Sequence, residues 1–321
     1  MLWGPGILSF VVAFAALRLL IGPLARLALD EPNERSLHQR PVPRTGGVAV
    51  IAGTAAGLYF VEGAYWPPLI IALVLAGVSL LDDLRGMPTP VRLTAHLAAA
   101  AVLVWHLAWP MDPVAAVLLV LAVTWTTNLY NFMDGSDGLA GGMAVIGFGV
   151  YAYAAYLAGN AWIPSFCVAL AGAAAAFLTH NFSPARIFLG DVGSIPLGFL
   201  AAALGIVGWH GGLWPLWFPV LVFGPFIGDA TLTLLRRLFR GERVWQAHKD
   251  HYYQRLVRMG FGHRGTAVVG YLVMAACGAM ALFGRTQPLI IQVFAFLSAA
   301  AGLAVIAAWV DLRWARYTAA P

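Results

Sequence analysis

Apolar stretches of about twenty residues follow one another along almost the whole chain, and no other feature restricts its fold so strongly. A bilayer core of roughly 30 Å is crossed by about 20 residues of α-helix. Eleven stretches reach or approach that length, at 3–24, 45–62, 66–81, 93–110, 113–130, 139–158, 161–180, 193–210, 213–234, 265–283 and 288–310. In lipid a backbone must satisfy its own N–H and C=O groups, which a helix does locally. A β-barrel would instead show alternating segments of about ten residues. The expected class is therefore all-α: a polytopic integral membrane protein of about 11 transmembrane helices. Only 10% of residues are charged and 61% are hydrophobic, with a mean hydropathy of +0.80. A soluble domain carries about 25% charged residues, so a soluble enzyme, a disordered chain and a disulfide scaffold are excluded. Cys167 and Cys277 lie inside apolar stretches without metal or redox spacing and read as packing. No linker, low-complexity tract or repeat divides residues 1–321, which read as one transmembrane domain. The N-terminus has no basic region ahead of its first apolar run, so that run reads as a retained helix.

Charge sets the expected orientation. All but two of the 19 Lys and Arg, the exceptions being Arg18 and Arg285, fall in loops on one side of the eleven stretches. By the positive-inside rule those loops face the cytoplasm, the N-terminus lies outside and the C-terminus inside. The same rule accounts for the net charge of +5 without a nucleic-acid partner. Of the 14 acids, only Glu62 and Asp112 fall in outer loops. The polar chemistry is therefore expected at the cytoplasmic face.

Those acids come in groups. Asp82 and Asp83 end the third stretch. Asn131, Asp134 and Asp137 lie in NFMDGSDG after the fifth, and Asp191 lies in FLGDVGS before the eighth. Carboxylates beside apolar helices are costly unless paired or bound, and adjacent aspartates repel without a cation. Mg²⁺ answers this, because it prefers carboxylate oxygens together with substrate phosphates. Gly135, Gly138, Gly190 and Gly193 flank the acids, where backbone can approach a phosphate closely. A lone Asp at a helix end is usually a solvated cap. That plain reading is preferred for Asp30, Glu34 and Asp311, and for Asp229 the two readings are balanced.

Residues 236–264 form the longest inner loop and read as a cytoplasmic substrate-binding segment. His248, His251 and Arg255 are spaced three and four apart, which on a helix would put them on one face. Such groups recognise phosphate oxygens. Arg236, Arg237 and Arg240 read as headgroup anchors. No cysteine is near, which argues against zinc. A secondary transporter would carry internal repeats and ionisable groups near the midplane; here the acids gather at one face.

The motifs SLLDD (79–83), NFMDGSDGLAGG (131–142), HNFSPARIFLGDVGSIPLG (180–198) and RTGGVAV (44–50) together resemble the polyprenyl-phosphate N-acetylhexosamine-1-phosphate transferase family, glycosyltransferase family 4. The resemblance spans most of the chain in the same order. It implies a bacterial inner-membrane enzyme that transfers a sugar 1-phosphate from a UDP-N-acetylhexosamine to undecaprenyl phosphate, releasing UMP. It implies dependence on Mg²⁺, with Mn²⁺ as an alternative ion. By the same resemblance Asp191 and Asp83 bind the metal, and Asp82 and Asp83 sit beside the lipid phosphate, one of them taking its proton. Asn131, Asp134 and Asp137 shape the nucleotide and metal pocket, Phe188 stacks on uracil, and Asn181, Gly190 and Arg44 belong to the substrate site. Direct attack by the lipid phosphate and a phospho-enzyme on an aspartate are both compatible, and direct attack needs fewer assumptions. Where many relatives carry an HLHHR-like motif, this chain has HYYQR (251–255): His251 and Arg255 remain, while Tyr253 and Gln254 replace histidines. That form argues against the phospho-MurNAc-pentapeptide translocase of peptidoglycan synthesis. It tilts towards the branch that starts O-antigen or other surface glycans. A homodimer is expected from the resemblance alone.

Overall fold

The structure, a computed structural model, describes residues 3–32, 37, 40–61, 63, 65–108, 111–244, 246 and 248–319. The sequence readings of Glu34, Arg35 and Glu62 lie outside the described residues. The helices are α1 (Gly4–Ile21), α2 (Gly46–Tyr59), α3 (Pro67–Arg85), α4 (Thr89–Ala108), α5 (Pro113–Phe132), α6 (Leu139–Leu157), α7 (Ile163–Asn181), α8 (Asp191–His210), α9 (Trp217–Val222), α10 (Gly224–Phe239), α11 (Tyr252–Leu256), α12 (Gly262–Gly284) and α13 (Leu289–Ala319). A π-helical turn, Val257–Phe261, joins α11 to α12. Among the described residues the strand structure is one pair of two-residue antiparallel strands, β1 (Leu29–Asp30) and β2 (Val42–Pro43).

The chain is an all-α polytopic membrane protein. Nine of the described helical segments are long and apolar enough to cross a membrane. Prolines open many of them, at Pro5, Pro67, Pro113 and Pro164, where the missing N–H has no intrahelical partner to lose. Asp112 caps α5 by accepting the Val114 and Ala115 N–H groups at 3.0 and 3.1 Å.

Two expected crossings differ in form. The stretch 45–62 yields α2, whose 14 residues span roughly 21 Å. The stretch 213–234 breaks into α9 and α10 at Phe223 (φ −94°, ψ 12°). Pro225 explains the break, because it lacks the N–H that would bond the carbonyl four residues back and its ring crowds that carbonyl. In the other direction, α13 runs on to Ala319, past the expected limit at 310. Its 31 residues measure roughly 46 Å, more than the apolar core needs.

Lipid tails are as apolar as leucine, so helix association rests on close packing. Helix α8 is buried along most of its length, with α3 on one side and α5 on another. Its start crosses the start of α2 backbone to backbone: a Cβ on Gly47 would overlap the Gly193 backbone. That crossing brings the RTGG and GDVGS motifs together.

Candidate active site

The motifs converge at one end of the bundle around a cavity of about 320 Å³. Backbone pairing builds its floor. Phe188 N–H donates to the Pro43 carbonyl (2.7 Å), Gly46 N–H to Phe188 (2.9 Å) and Gly47 N–H to Leu189 (2.8 Å). Gly190 follows with φ +70°, and a Cβ there would overlap the Arg44 carbonyl. Only glycine meets both demands. The turn leaves Asp191 as the first residue of α8, where the helix dipole favours a negative charge.

Asn181 ties the second wall to the first. Its Oδ1 accepts the Gly138 N–H (2.8 Å), and its Nδ2 donates to the Ile187 carbonyl (2.9 Å). Asp137 repeats the link by accepting the Ala185 N–H at 3.0 Å. Asn131 accepts the Ser194 hydroxyl at 2.8 Å, which joins α5 to α8. The loop 133–138 and the stretch 182–190 are thus held as one unit.

Of the residues singled out in the sequence, Arg44, Asp83, Asn131, Asp134, Asp137, Asn181, Phe188, Gly190 and Asp191 all line this cavity. Arg44 donates to the Asp83 backbone carbonyl at 2.5 Å, and its guanidinium lies 3.6 Å from the Asp83 carboxylate. Asp83 Oδ2 is buried and has no hydrogen-bond partner among the described residues. Asp82 is not among the lining residues; it accepts the Met87 N–H (2.6 Å) and the Arg92 guanidinium (3.1 Å). Burial holds the Asp134 carboxyl well above the usual carboxylate range, and the Asp191 and Asp83 charges push it further the same way. So many carboxylates around one small space favour a bound cation.

His248, His251 and Arg255 do not line the cavity, and they do not share a helix face. Helix α11 begins only at Tyr252, with His251 extended before it (φ −56°, ψ 146°). Asp229 sets that boundary. Its carboxylate accepts the Tyr252 and Tyr253 N–H groups (2.9 and 3.0 Å), meets His251 Nδ1 at 3.1 Å and accepts the Thr233 hydroxyl at 3.2 Å. A side chain of α10 therefore caps α11. Asp311, expected to be a solvated end, holds Arg236 through both oxygens (2.7 and 2.6 Å) and Arg255 at 3.0 Å. Arg237 pairs with Asp250 and Glu242 and is buried instead of reaching headgroups. His248 is pushed down to about 4 by burial, His251 and Arg237, so it is neutral near pH 7. Tyr253 completes the tie by donating its hydroxyl to the Phe132 carbonyl at 3.0 Å. Replacing Asp229 by Ala should cost on the order of 1–2 kcal/mol, the upper range for a lost cap. Thermal unfolding of the detergent-solubilised variant measures this, and an unchanged midpoint would refute the cap.

Besides Gln254 of the HYYQR segment, three cavity or near-cavity groups had no assignment from the sequence beyond charge or helix-end roles. Asp30, Gln254 and His263 line the cavity. Arg92 lies just behind it, bridging Asp82 and Asp191 Oδ2, the latter at 3.5 Å. No local motif marks His263; Arg92 follows Asp83 by half a helical hairpin, and only the fold brings it back.

Among the described residues no three of His, Cys, Asp and Glu converge tightly enough to form a metal shell by themselves. Mg²⁺ does not require such a cage, because it keeps waters and takes substrate phosphate oxygens beside one or two carboxylates. The unpartnered Oδ2 of Asp83 and the helix-terminal Asp191 fit that mode.

A family model described as Glycosyl transferase family 4 matches residues 65–209. The chain is 28% identical over 296 residues to the probable undecaprenyl-phosphate N-acetylglucosaminyl 1-phosphate transferase of Bacillus subtilis (strain 168), covering 83% of this chain and 81% of that one. It is 32% identical over 304 residues to the decaprenyl-phosphate N-acetylglucosaminephosphotransferase of Mycobacterium leprae (strain TN), covering 79% and 76%. It is 26% identical over 246 residues to the phospho-N-acetylmuramoyl-pentapeptide-transferase of Staphylococcus carnosus (strain TM300), covering 64% and 76%.

Proposed function

Because this chain belongs to glycosyl transferase family 4, we propose that it transfers an N-acetylhexosamine 1-phosphate from a UDP-sugar to undecaprenyl phosphate at the cytoplasmic face of a bacterial inner membrane. The observation that carries this reading is the single cavity shared by Asp83, Asp134, Asp137, Asp191, Arg44 and Phe188. A phosphate oxygen of the lipid attacks the sugar-bearing phosphorus of the donor. The bond from that phosphorus to the bridging oxygen breaks, and UMP leaves with that oxygen.

The residues divide the work by chemistry. Asp83 and Asp191 would hold Mg²⁺, which when bound neutralises diphosphate charge. Arg44 supplies a fixed positive charge beside Asp83, suited to a phosphate oxygen. Phe188 offers a flat apolar surface to the base. Phosphoryl transfer needs positioning and charge neutralisation more than covalent help, which suits a cavity of rigidly tied carboxylates. The end of α3 that carries Asp83 lies beside apolar helices, where a lipid phosphate can arrive at headgroup depth. The HYYQR segment and the names of the relatives together favour an N-acetylglucosamine-type donor for a cell-envelope glycan such as O-antigen.

Purified protein, undecaprenyl phosphate, Mg²⁺ and a panel of UDP-N-acetyl sugars provide the test. UMP release together with a lipid-diphosphate sugar is the expected result. Release of neither with any donor would overturn the proposal.

A further inference from the structure

His263 opens no motif and lies far in sequence from the acidic groups, yet its ring forms part of the cavity wall. It sits on the first turn of α12, the helix that follows the π-helical turn. Its hydrogen bonds determine which nitrogen carries the proton. Asp137 N–H lies 3.3 Å from Nδ1 and can only donate. Nδ1 is therefore an acceptor, and the Ser136 hydroxyl at 3.0 Å donates to it as well. The ring proton then resides on Nε2. Among the described residues Nε2 meets the Leu37 carbonyl at 3.4 Å, beyond the normal N–H···O range. This is a weak bond that a better-placed oxygen can replace.

The position of that donor follows from Asp137. The same residue that donates its N–H to His263 accepts the Ala185 N–H at 3.0 Å. Ala185 begins the short stretch that carries Phe188. His263 is thus fixed to the aromatic wall of the cavity, whereas Arg44 and Arg92 serve Asp83, Asp82 and Asp191. An N–H on a cavity wall shared with Phe188 and Asp137, whose Oδ1 lies 3.7 Å from Nδ1, suits an oxygen of a nucleoside.

We propose that His263 is a nucleotide-binding residue, its Nε2–H donating to an oxygen of the uridine portion of the donor while its Nδ1 holds the Ser136–Asp137 turn in place. This rests on the transferase reading above and names a contact within that site. The two ring nitrogens make the two roles separable. Asparagine places an acceptor near the Nδ1 position but has nothing at Nε2. Glutamine reaches the Nε2 position with a donor.

Calorimetric binding of UMP to the full-length protein in detergent, with Mg²⁺ present, tests the idea beside steady-state kinetics. His263→Asn should weaken UMP binding about tenfold, the scale of one lost hydrogen bond. The KM for the UDP-sugar should rise by a similar factor, with kcat and the KM for undecaprenyl phosphate within about twofold. His263→Gln should recover most of the UMP affinity. If His263→Asn binds UMP as tightly as the wild type, or if Asn rescues a weak Ala variant better than Gln does, His263 only holds the turn and the inference is wrong. If the wild type neither binds UMP nor releases it from any donor, the transferase reading itself fails.

Discussion

Replacing Asp191 or Asp83 by asparagine is expected to lower UMP release by at least about 10²–10³-fold, the cost typical of removing one preorganised charge-stabilising group from a reacting centre. The fold should survive both changes. Arg44 reaches Asp83 through the backbone carbonyl as well as the carboxylate, so the bond between the RTGG segment and the end of α3 does not depend on the side-chain charge. Asp191 stands at the first position of α8, where losing its charge forgoes about 0.3–1 kcal/mol of helix-dipole interaction. Most of α8 is packed inside the bundle and is untouched. An unaltered gel-filtration profile and a melting temperature within a few degrees, beside a near-total loss of turnover, are the expected pair of results. A variant that keeps near-wild-type turnover removes that aspartate from the chemistry.

The acids were legible in the sequence because each group is local and flanked by glycine: two neighbouring aspartates, or Asn131, Asp134 and Asp137 within seven residues. What those acids touch was not legible. Asp311 looked like a solvated helix end because its partners, Arg236 and Arg255, lie 75 and 56 residues away. Asp229 caps a helix that starts 23 residues later, and His263 meets Asp137 across 126 residues. Hydrophobic pattern reports which face of a helix avoids water, but in a membrane most faces are apolar and say little about neighbours. Spacing misled at His248, His251 and Arg255 for a related reason. Helical periodicity presumes a helix, and the Asp229 carboxylate captures the Tyr252 and Tyr253 N–H groups and starts α11 after His251. The break within 213–234 was present in the sequence as Pro225, masked by the apolar run around it.

Chelation of divalent metal by EDTA should abolish turnover, and excess Mg²⁺ should restore it. The stability of the metal-free protein carries a second sign of the same charge cluster. Asp134 has a raised pKa in the folded state because it is buried and faces Asp191 and Asp83. Unfolded, it titrates near the ordinary value of about 3.9. Below that pH both states are protonated and Asp134 contributes no pH dependence. Between that value and its raised native pKa the native state retains a proton that the unfolded state has released. Stability therefore falls as pH rises through this window. A divalent cation among these carboxylates makes their ionised forms less costly, and it competes with protons for the site. The gain in melting temperature on adding Mg²⁺ should accordingly be larger at pH 8 than at pH 5.5. At 100 times its dissociation constant the ion would contribute about 2.7 kcal/mol. In Asp134→Asn the metal-free melting temperature should vary less with pH than in the wild type. Turnover that survives EDTA, or a Mg²⁺-induced shift of the same size at both pH values, would show that the carboxylates gathered at this cavity are not there to share a cation.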